Sequence, residues 1–413
     1  MSNTCRFCKT PLKHVVADLG LSPISNEFRL ADGIDQQPQV FYPLKALVCD
    51  ACWLVQLTEV QTPPHFDADY AYFSSVSRSW LEHAKTYANA MIDRLGLDQK
   101  SQVLELASND GYLLQYFKQA GVNVLGVEPS ANVAQHAKTE HGIESIVAFF
   151  GHALGCKLQQ QGVTANLIIG NNVLAHVPDI NDFVSAVPLV LAADGSVTFE
   201  FPHLLQMLSL GQFDTIYHEH FSYLSLLAVE QIFARHGLTV YGAEELPTHG
   251  GSLRVYACHT GHDIHDAALA ACRDKIRADE AAFGLHSVAS YARFAAMARA
   301  RKQELLSFLI TAKQDGKTVL GYGAPAKGNT LLNYCGIGPE LLPYTTDMSR
   351  QKQGKYLPGV NIPVHDPDIL IADRPDYVLI LPWNLKAEIS AQLAEIRDWG
   401  GKFVVAIPEL EIF

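Results

Sequence analysis

The 413-residue sequence lacks three features that would direct it to a membrane, a nucleic acid or the secretory route. Its apolar runs all fall short of the roughly 18–20 consecutive residues that a membrane-spanning helix needs. Its lysines and arginines, 31 against 43 aspartates and glutamates, form no cationic stripe that would match a phosphate backbone. The opening MSNTCRFCKT lacks the basic and apolar regions of a secretory signal. We therefore expect a cytoplasmic protein that binds neither membranes nor nucleic acids.

Cysteine is scarce, and its placement is informative. Half of the eight cysteines stand in two CxxC pairs, Cys5 with Cys8 and Cys49 with Cys52. Paired thiols with this spacing in a reducing compartment favour a zinc site. Four thiolates complete a tetrahedron and leave no open position, so this zinc would be structural. A set of unrelated thiols or a redox pair is the alternative.

The order of apolar segments predicts an α/β protein in three parts. A zinc-binding module covers residues 1–66, and the proline-containing loop QTPPHFDADYAYFSS leads out of it. The helix SWLEHAKTYANAMIDRLGLD then precedes strands at QVLELA, NVLGVEP, NLIIGNN and SVTFEFP. Such alternation is the signature of a parallel sheet covered by helices, here a Rossmann-like domain over residues 67–300. A helical stretch over 265–315 precedes a second Rossmann-like domain over 301–413, with strands at TVLGYG, DYVLILPW and KFVVAIPE. The sequence shows no internal repeat.

The segment VLELASNDGYLL, residues 103–114, reads as a buried strand, a polar glycine turn and a helix. Glycine in such a turn lets the backbone approach a ligand closely. Glu128 ends the next strand, where a carboxylate can accept both hydroxyls of a ribose. Because Glu105 and Asp110 would repel a pyrophosphate but suit a sulfonium cation with an amino-acid tail, we expect S-adenosylmethionine. A strand, turn and helix with no ligand is the alternative.

A second strand, glycine turn and helix occurs at TVLGYGAPAKGNTLLNY, residues 318–334. Its turn contains Lys327 and no acid, so the helix start and the cation favour a phosphate. We expect this turn to hold the diphosphate of a nucleotide-sugar. The residues expected around the nucleoside and phosphates are Gly321, Tyr322, Gly323, Lys327, Asp347, Lys352, Lys355, Trp383 and Asn384. A unit kept for packing alone is one alternative, and NAD is a weaker one because GYGAPAKG fails the GxGxxG spacing.

With these segments taken together, the chain resembles the nucleotide-sugar C-methyltransferases, which place a methyl branch on C-3' of a 4-keto-6-deoxysugar. The resemblance runs through the paired CxxC, ELASNDG, NNVLAHVPD, YHEHFSYLS, HGGSLRVY, GYGAPAKGNTLLNYCGIG and LPWN, and covers nearly the whole chain. It implies a class I methyltransferase-type central domain, S-adenosylmethionine, a structural zinc ion, and an acceptor linked to dTDP or GDP. One residue departs from the family pattern, which usually has Gly where Ala107 stands.

The resemblance places the active site at His220, Glu219 and Tyr217, with His176 and Tyr72 also lining it. A keto group beside the reacting carbon makes its proton removable, and His220 titrates near neutral pH, as a general base should. Glu219 could orient or help to charge an imidazole, and Tyr217 could hydrogen-bond the sugar or the enolate oxygen. The residues expected around the methyl donor are Glu105, Ala107, Asn109, Asp110, Gly111, Glu128, Phe149 and Asn171.

Other interpretations stay open at this point. The His-x-His spacing of His218 and His220 is common in metal sites, although Glu219 would point to the opposite face if the segment were a strand. The enzyme could instead methylate an oxygen or a nitrogen. A non-catalytic zinc-containing binding protein, or an oxidoreductase that uses NAD at the C-terminal turn, would also accommodate parts of the pattern.

Overall fold

A computed structural model describes residues 4–31, 38–58 and 73–413. The loop predicted at residues 61–75 lies mostly outside these ranges. Within them, no helix combines the length and the apolar character needed to cross a membrane.

The N-terminal part is a small antiparallel sheet. Its strands are β1 (His14–Ser22), β3 (Tyr42–Val48) and β4 (Val55–Leu57), whereas the short β2 (Arg29–Leu30) belongs to a separate two-stranded sheet. In the main sheet, with order β1-β3-β4, β1 turns Val16, Ala17 and Leu19 to the interior. A fourth strand joins the open edge of β4 from far along the chain, residues Ser222–Tyr223, which pair antiparallel with Val55 and Gln56. The zinc-binding module therefore shares its sheet with the segment YHEHFSYLS.

The central domain consists of a mixed seven-stranded sheet and the helices that cover it. Its strands are β5 (Gln102–Leu106), β6 (Asn123–Val127), β7 (Ser145–Ile146), β8 (Ala165–Asn171), β9 (Leu191–Pro202), β10 (Ser222–Tyr223, in the N-terminal sheet), β11 (Leu238–Leu246) and β12 (Ser252–His259). Its helices, with those that lead to the next domain, are α1 (Arg78–Leu95), α2 (Leu114–Gln119), α3 (Ala131–His141), α4 (His152–Gln160), α5 (Ile180–Val190), α6 (Leu204–Leu210), α7 (Leu226–Arg235), α8 (Ala267–Phe283), α9 (Val288–Tyr291) and α10 (Phe294–Gln314).

The sheet order is β11-β12-β9-β8-β5-β6-β7, parallel from β9 to β7 and antiparallel at β12 and β11. The four strands predicted from the alternation are present, and α1 ends at Gly96 in a left-handed conformation with φ of 59°, as the sequence predicts. At its other end the Ser77 hydroxyl accepts a hydrogen bond from the Trp80 amide at 3.3 Å.

The C-terminal domain has a second sheet of the same type. Its elements are β13 (Val319–Tyr322), α11 (Ala326–Cys335), β14 (Thr345–Thr346), β15 (Lys355–Tyr356), β16 (Val364–His365), α12 (Asp368–Asp373), β17 (Tyr377–Ile380), α13 (Lys386–Gln392), β18 (Lys402–Val405) and β19 (Glu411–Ile412). The sheet order is β16-β14-β13-β17-β18-β19, parallel except for the antiparallel β19.

This order repeats six strands of the central sheet, β7-β6-β5-β8-β9-β12, in sequence and in direction. The chain therefore contains a structural repeat, which the sequence does not display.

The N-terminal module and the C-terminal domain pack into one hydrophobic core. Val16 and Leu44 belong to the same buried cluster as Leu309 and Leu331. Backbone and side-chain contacts cross the interface: β2 pairs with β15, the Arg29 side chain donates to Asn361 at 3.0 Å, and the Asn329 side chain donates to the Ser25 carbonyl at 2.5 Å. The boundaries at residues 66 and 300 stay predictions, and α10 runs through the second of them.

Candidate active site

The four cysteines of the two CxxC pairs converge, as predicted. Their Sγ atoms all lie within 4.8 Å of one another, with 3.5 Å between Cys5 and Cys52 and 3.4 Å between Cys8 and Cys49. Zinc–sulfur bonds of about 2.3 Å in a tetrahedron place sulfurs about 3.8 Å apart, so four thiolates at these positions fit one structural zinc ion. In the described ranges no other group of three or more metal-binding side chains converges in this way. The His-x-His alternative therefore gains no support.

The first glycine turn lies at the carboxyl edge of the central sheet, after β5. Ala107 and Asn109 both have positive φ, 57° and 49°. The Glu128 carboxylate accepts hydrogen bonds from the Asn109 amide and the Ser130 amide, each at 2.9 Å. Those two bonds fix the carboxylate at the tip of β6 while each oxygen keeps lone pairs for a ligand. This arrangement fits a ribose.

Glu105, at the end of β5, is a buried acid that neighbouring groups leave unsatisfied. Its side chain is 1% exposed, and neither carboxylate oxygen has a hydrogen bond of normal geometry among the described residues. Burial, together with the charges of Asp110 and Glu128, holds its pKa well above the ordinary range, and the nearby Tyr112 hydroxyl offsets only part of that rise. An acid in this setting fits a cationic ligand, such as an ammonium or sulfonium group.

The remaining residues predicted around the methyl donor divide into two groups. The side-chain oxygens of Asn109 and Asp110 accept hydrogen bonds from the Ser74 and Ser75 amides, at 2.9 and 3.0 Å. These bonds hold the segment before α1 against the turn. The buried side-chain oxygen of Asn171, at the end of β8, has no hydrogen-bond partner among the residues that the structure describes, whereas Phe149 is 66% exposed. Gly111 has a φ of 79°, and a Cβ there would come within 2.8 Å of Ile143.

His220 is held in one tautomer by its neighbours. Its Nδ1 lies 2.9 Å from the Thr215 carbonyl, which can only accept, so Nδ1 carries the proton and donates. The Nε2 lone pair then accepts from the Tyr217 hydroxyl at 2.7 Å. Burial, and then the neighbouring His176, hold the pKa of His220 well below its ordinary range. The ring is therefore neutral at pH 7 with an unprotonated Nε2, and it titrates below the near-neutral range expected from the sequence.

His176 joins this imidazole to the central sheet. It lies in a short 3-10 helix, Leu174–His176, that follows β8, and its ring centroid is 4.7 Å from that of His220. Burial lowers the pKa of His176 to about 4. The proposed base thus lies at the carboxyl edge of the sheet, where α/β proteins bind ligands. Tyr72, the other residue implied to line the site, lies outside the described residues.

In the YHEH segment, Tyr217 and His220 contact each other, whereas His218 and Glu219 contact other parts of the protein. Residues 217–220 form a turn, so the strand geometry considered for a metal site is wrong. His218 packs edge-on against Tyr42, with ring centroids 5.9 Å apart. Glu219 accepts from the Asn26 side chain at 3.0 Å, and burial raises its pKa to about 7. Thr215 and Tyr217, rather than Glu219, orient the imidazole of His220.

Lys327, predicted to bind phosphate, lies in a more enclosed place than a phosphate site requires. Its ammonium donates to the Asn384 side chain at 2.8 Å and lies 4.7 Å from the centre of a Trp383 ring. Burial lowers its pKa, and the nearby Asp214 opposes that change. The Trp383 indole donates to Asp214 at 2.6 Å. The charge of Lys327 also lowers the pKa of His220, so the C-terminal domain contributes a cation close to the proposed base.

The second glycine turn repeats the hydrogen bonds of the first. Asp347, just after β14, accepts from the Ala324 amide at 2.7 Å and from the Ser349 amide at 2.8 Å, as Glu128 does at the first turn. Gly323 has a φ of 87°, and a Cβ there would come within 2.4 Å of Pro382. The turn is therefore held by Asp347, an acid that follows the next strand and is not part of the turn sequence.

The other residues predicted on the acceptor side have structural contacts. Lys352 donates to the Ala324 carbonyl at 3.0 Å, and Lys355 pairs with Leu30 in the small β2-β15 sheet. A Cβ on Gly321 would meet Thr345 at 2.7 Å, and the Tyr322 hydroxyl donates to Gln392 at 3.3 Å. These contacts fix the frame around the turn.

The sequence reasoning missed His249, which lies beside the other imidazoles. Its Nε2 is 3.1 Å from the Asn172 side-chain nitrogen, and its ring meets Trp80 edge-on at 5.2 Å between centroids. The available signal was a histidine directly before two glycines in HGGSLRVY.

Comparisons with known proteins agree with this architecture. Family models match in three consecutive segments: a zinc binding domain at residues 5–66, a methyltransferase domain at 80–242, and a C-methyltransferase C-terminal domain at 247–408. C-methyltransferase NovU of Streptomyces niveus is 36% identical over 408 residues, which span 98% of this chain and 95% of that protein.

Among solved structures, magnesium protoporphyrin IX methyltransferase of Synechocystis aligns over 44% of this chain and 79% of its own, at 14% identity and a TM-score of 0.33. The PH0226 protein of Pyrococcus horikoshii aligns over 46% of this chain and 95% of its own, at 17% identity and a TM-score of 0.38. Both alignments cover less than half of this chain. The similarity to NovU, by contrast, runs from end to end, and with the three consecutive domain matches it shows that this chain belongs to the C-methyltransferase family, enzymes that depend on S-adenosylmethionine.

Proposed function

We propose that the enzyme methylates C-3' of a nucleotide-diphosphate-linked 4-keto-6-deoxyhexose through an enolate. The observation that supports this most is the neutral imidazole of His220, which presents a lone pair on Nε2. A carbon acceptor becomes nucleophilic only after it loses a proton, and a neighbouring carbonyl makes that loss accessible to a base of this kind.

On the donor side, S-adenosylmethionine would supply a methyl group on a sulfonium sulfur. Glu128 would accept hydrogen bonds from the ribose hydroxyls, because its carboxylate is already fixed at the strand tip by two amides. Glu105 offers a buried carboxylate for the cationic end of the ligand. The Asn171 side-chain oxygen, which has no hydrogen-bond partner among the described residues, supplies a further acceptor at the same edge.

On the acceptor side, the second turn would hold the nucleotide. Asp347 has the same two backbone hydrogen bonds as Glu128, so it is equally prepared to accept a ribose hydroxyl. The repeated strand order places the two turns at equivalent points of two equivalent sheets. Lys327, buried and near His220, provides positive charge on the sugar side of that nucleotide.

The proton of C-3' would pass to Nε2 of His220. In the structure that lone pair accepts the Tyr217 hydroxyl, so the hydroxyl must turn away when the acceptor binds. It is then free to donate to an oxygen of the sugar. The Thr215 carbonyl keeps the proton on Nδ1 throughout, so the ring takes up the new proton only at Nε2 and becomes an imidazolium paired with the enolate.

Solvent deuterium exchange tests this proposal. A dTDP- or GDP-linked 4-keto-6-deoxyhexose is incubated with enzyme and S-adenosylhomocysteine in deuterium oxide, and exchange at C-3' is followed by NMR. We expect exchange with the natural enzyme and none with His220→Asn, while S-adenosylhomocysteine binds both equally in calorimetry. His236→Asn is the matched control, because His236 bonds Asn181 in another part of the domain.

Methyl transfer without any C-3' exchange would instead indicate an O- or N-methyltransferase. Full turnover by the His220→Asn enzyme would reject the base assignment. The nucleotide preference follows from melting temperatures measured with thymidine, guanosine and cytidine diphosphates, because a ligand that binds only the folded protein raises its melting point.

A further inference from the structure

A strained arch of three residues, His249, Gly250 and Gly251, lies between the central and C-terminal domains. All three have positive φ, 55°, 91° and 116°. For a residue with a side chain this conformation costs about 1–2 kcal/mol. Glycine adopts positive φ without strain, but histidine does not. Strained residues of this kind concentrate at functional sites.

The arch is clamped from both sides. The Thr248 hydroxyl donates to Glu200 at 2.9 Å, and the buried Glu200 carboxylate also accepts from Arg254. From the C-terminal domain, Trp383 comes so close that a Cβ on Gly250 would lie 2.3 Å from its ring. The Gln212 side chain donates to the Gly250 carbonyl at 2.7 Å. His249 therefore keeps one position, set by both domains.

The contacts of His249 fix its tautomer. The Asn172 amide nitrogen can only donate, so Nε2 of His249 accepts it at 3.1 Å and Nδ1 carries the proton. In the part of the chain that the structure describes, Nδ1 makes no hydrogen bond. Burial, and then the charge of Lys327, lower the pKa of the ring to about 4, so it is a neutral donor at pH 7.

His249 faces the same site as the proposed base. Asn172 directly follows β8 and precedes by four residues His176, whose ring contacts His220. A charge on His249 or on Lys327 would lower the pKa of His220, and a charge on His176 would lower that of His249. The site thus has one nitrogen that accepts, on His220, and one nitrogen that donates, on His249.

We propose that His249 is a catalytic residue whose Nδ1–H donates a hydrogen bond to the C-4' oxygen of the acceptor, an inference that rests on the function proposed above. When His220 takes the C-3' proton, the electron pair of the broken C–H bond forms the enolate and negative charge moves to the C-4' oxygen. The hydrogen bond from His249 strengthens as that charge develops. The enolate carbon then takes the methyl group, S-adenosylhomocysteine leaves, the C-4' carbonyl reforms, and the proton on His220 passes to solvent.

The test compares His249→Asn with His236→Asn in C-3' deuterium exchange and in methyl transfer. Asparagine tolerates positive φ, so the arch keeps its conformation while the imidazole donor is lost. For His249→Asn we expect kcat and the exchange rate to fall about 10²–10³-fold, the effect of removing one oxyanion donor. KM, the melting temperature and S-adenosylhomocysteine affinity should stay within about twofold or 2 °C of the natural enzyme.

Exchange by His249→Asn within about threefold of the natural rate would overturn the proposal, since a lost oxyanion donor must slow proton removal. A joint loss of melting temperature and donor affinity with unchanged kcat would assign His249 to the frame of the site and would also overturn it. If the natural enzyme showed neither exchange nor methylation of the keto-sugar, the proposed function itself would fail, and this role with it.

Discussion

Replacing Glu219 with glutamine should stabilise the folded protein, and more so as the pH rises. The carboxyl is 4% exposed, one oxygen accepts from Asn26 at 3.0 Å, and the other has no partner in the described part of the chain. Burial raises its pKa from 4.5 to about 7. At about 1.4 kcal/mol for each pKa unit, ionising this group inside the fold costs about 3 kcal/mol.

The direction with pH follows from proton binding. Between about pH 4.5 and 7 the folded state keeps a proton that the unfolded chain has lost, so the natural protein loses stability as the pH rises through this window. A glutamine has the shape of the protonated acid and cannot ionise. The stability gain of Glu219→Gln should therefore be about 3 kcal/mol at pH 8.5 and below about 1 kcal/mol at pH 5.

Urea unfolding followed by circular dichroism at the two pH values measures both gains. Glu200→Gln is the matched control, a second buried carboxyl of opposite behaviour. Burial favours its neutral form, but the hydrogen bond from His83 and the charge of Arg254 outweigh burial and hold its pKa at about 2. That variant should lose about 3 kcal/mol at pH 8.5, because the buried Arg254 guanidinium loses its pairing with Glu200 and keeps only the one with Glu244. An equal effect of Glu219→Gln at both pH values would refute the reasoning, since the folded carboxyl would then titrate normally.

Two further changes are predicted. Ala107→Gly should raise the melting temperature by about 1–3 °C in differential scanning calorimetry, because relief of the positive φ of 57° outweighs the added freedom of the unfolded chain; a lower melting temperature would contradict this. Removing zinc with a chelator should lower the melting temperature and release about one zinc ion per chain by elemental analysis, and Cys52→Ser should reproduce the effect, whereas an unchanged melting profile would argue against a metal that supports the fold.

The sequence was sufficient for features that depend on local pattern. Alternating apolar runs predicted β5, β6, β8 and β9 of the central sheet and β13, β17 and β18 of the C-terminal sheet. The spacing of the cysteines predicted a metal cluster that the chain assembles from residues more than 40 positions apart. The glycine turn before Glu128 was also visible, because strand, turn and acid follow one another within 25 residues. Each of these features is encoded by neighbours or by a short repeated spacing.

Features that depend on packing between distant segments were not visible. Asp347 was predicted near the second turn, but its hydrogen bonds to that turn were not, because it lies one strand away and the turn itself contains only a cation. The sequence predicted Lys327 as an exposed phosphate ligand, whereas in the structure its ammonium contacts Trp383 and Asn384. His249 lies in the motif HGGSLRVY, but its role was not visible there, since it depends on a backbone conformation that two domains impose. The structural repeat of the two sheets is likewise visible in their strand order and not in their amino-acid sequences.

The pairing of β10 with β4 connects the zinc site to the segment that contains His220. The strand β10 begins two positions after His220. Its partners, Val55 and Gln56, follow Cys52 by three and four positions in the β3–β4 hairpin, whose turn contains Cys49 and Cys52. Loss of zinc would free the turn of this hairpin, and the pairing of β4 with β10 would carry the disturbance to the segment that holds His220. Zinc occupancy would therefore govern where the imidazole lies as well as how the small N-terminal sheet holds together.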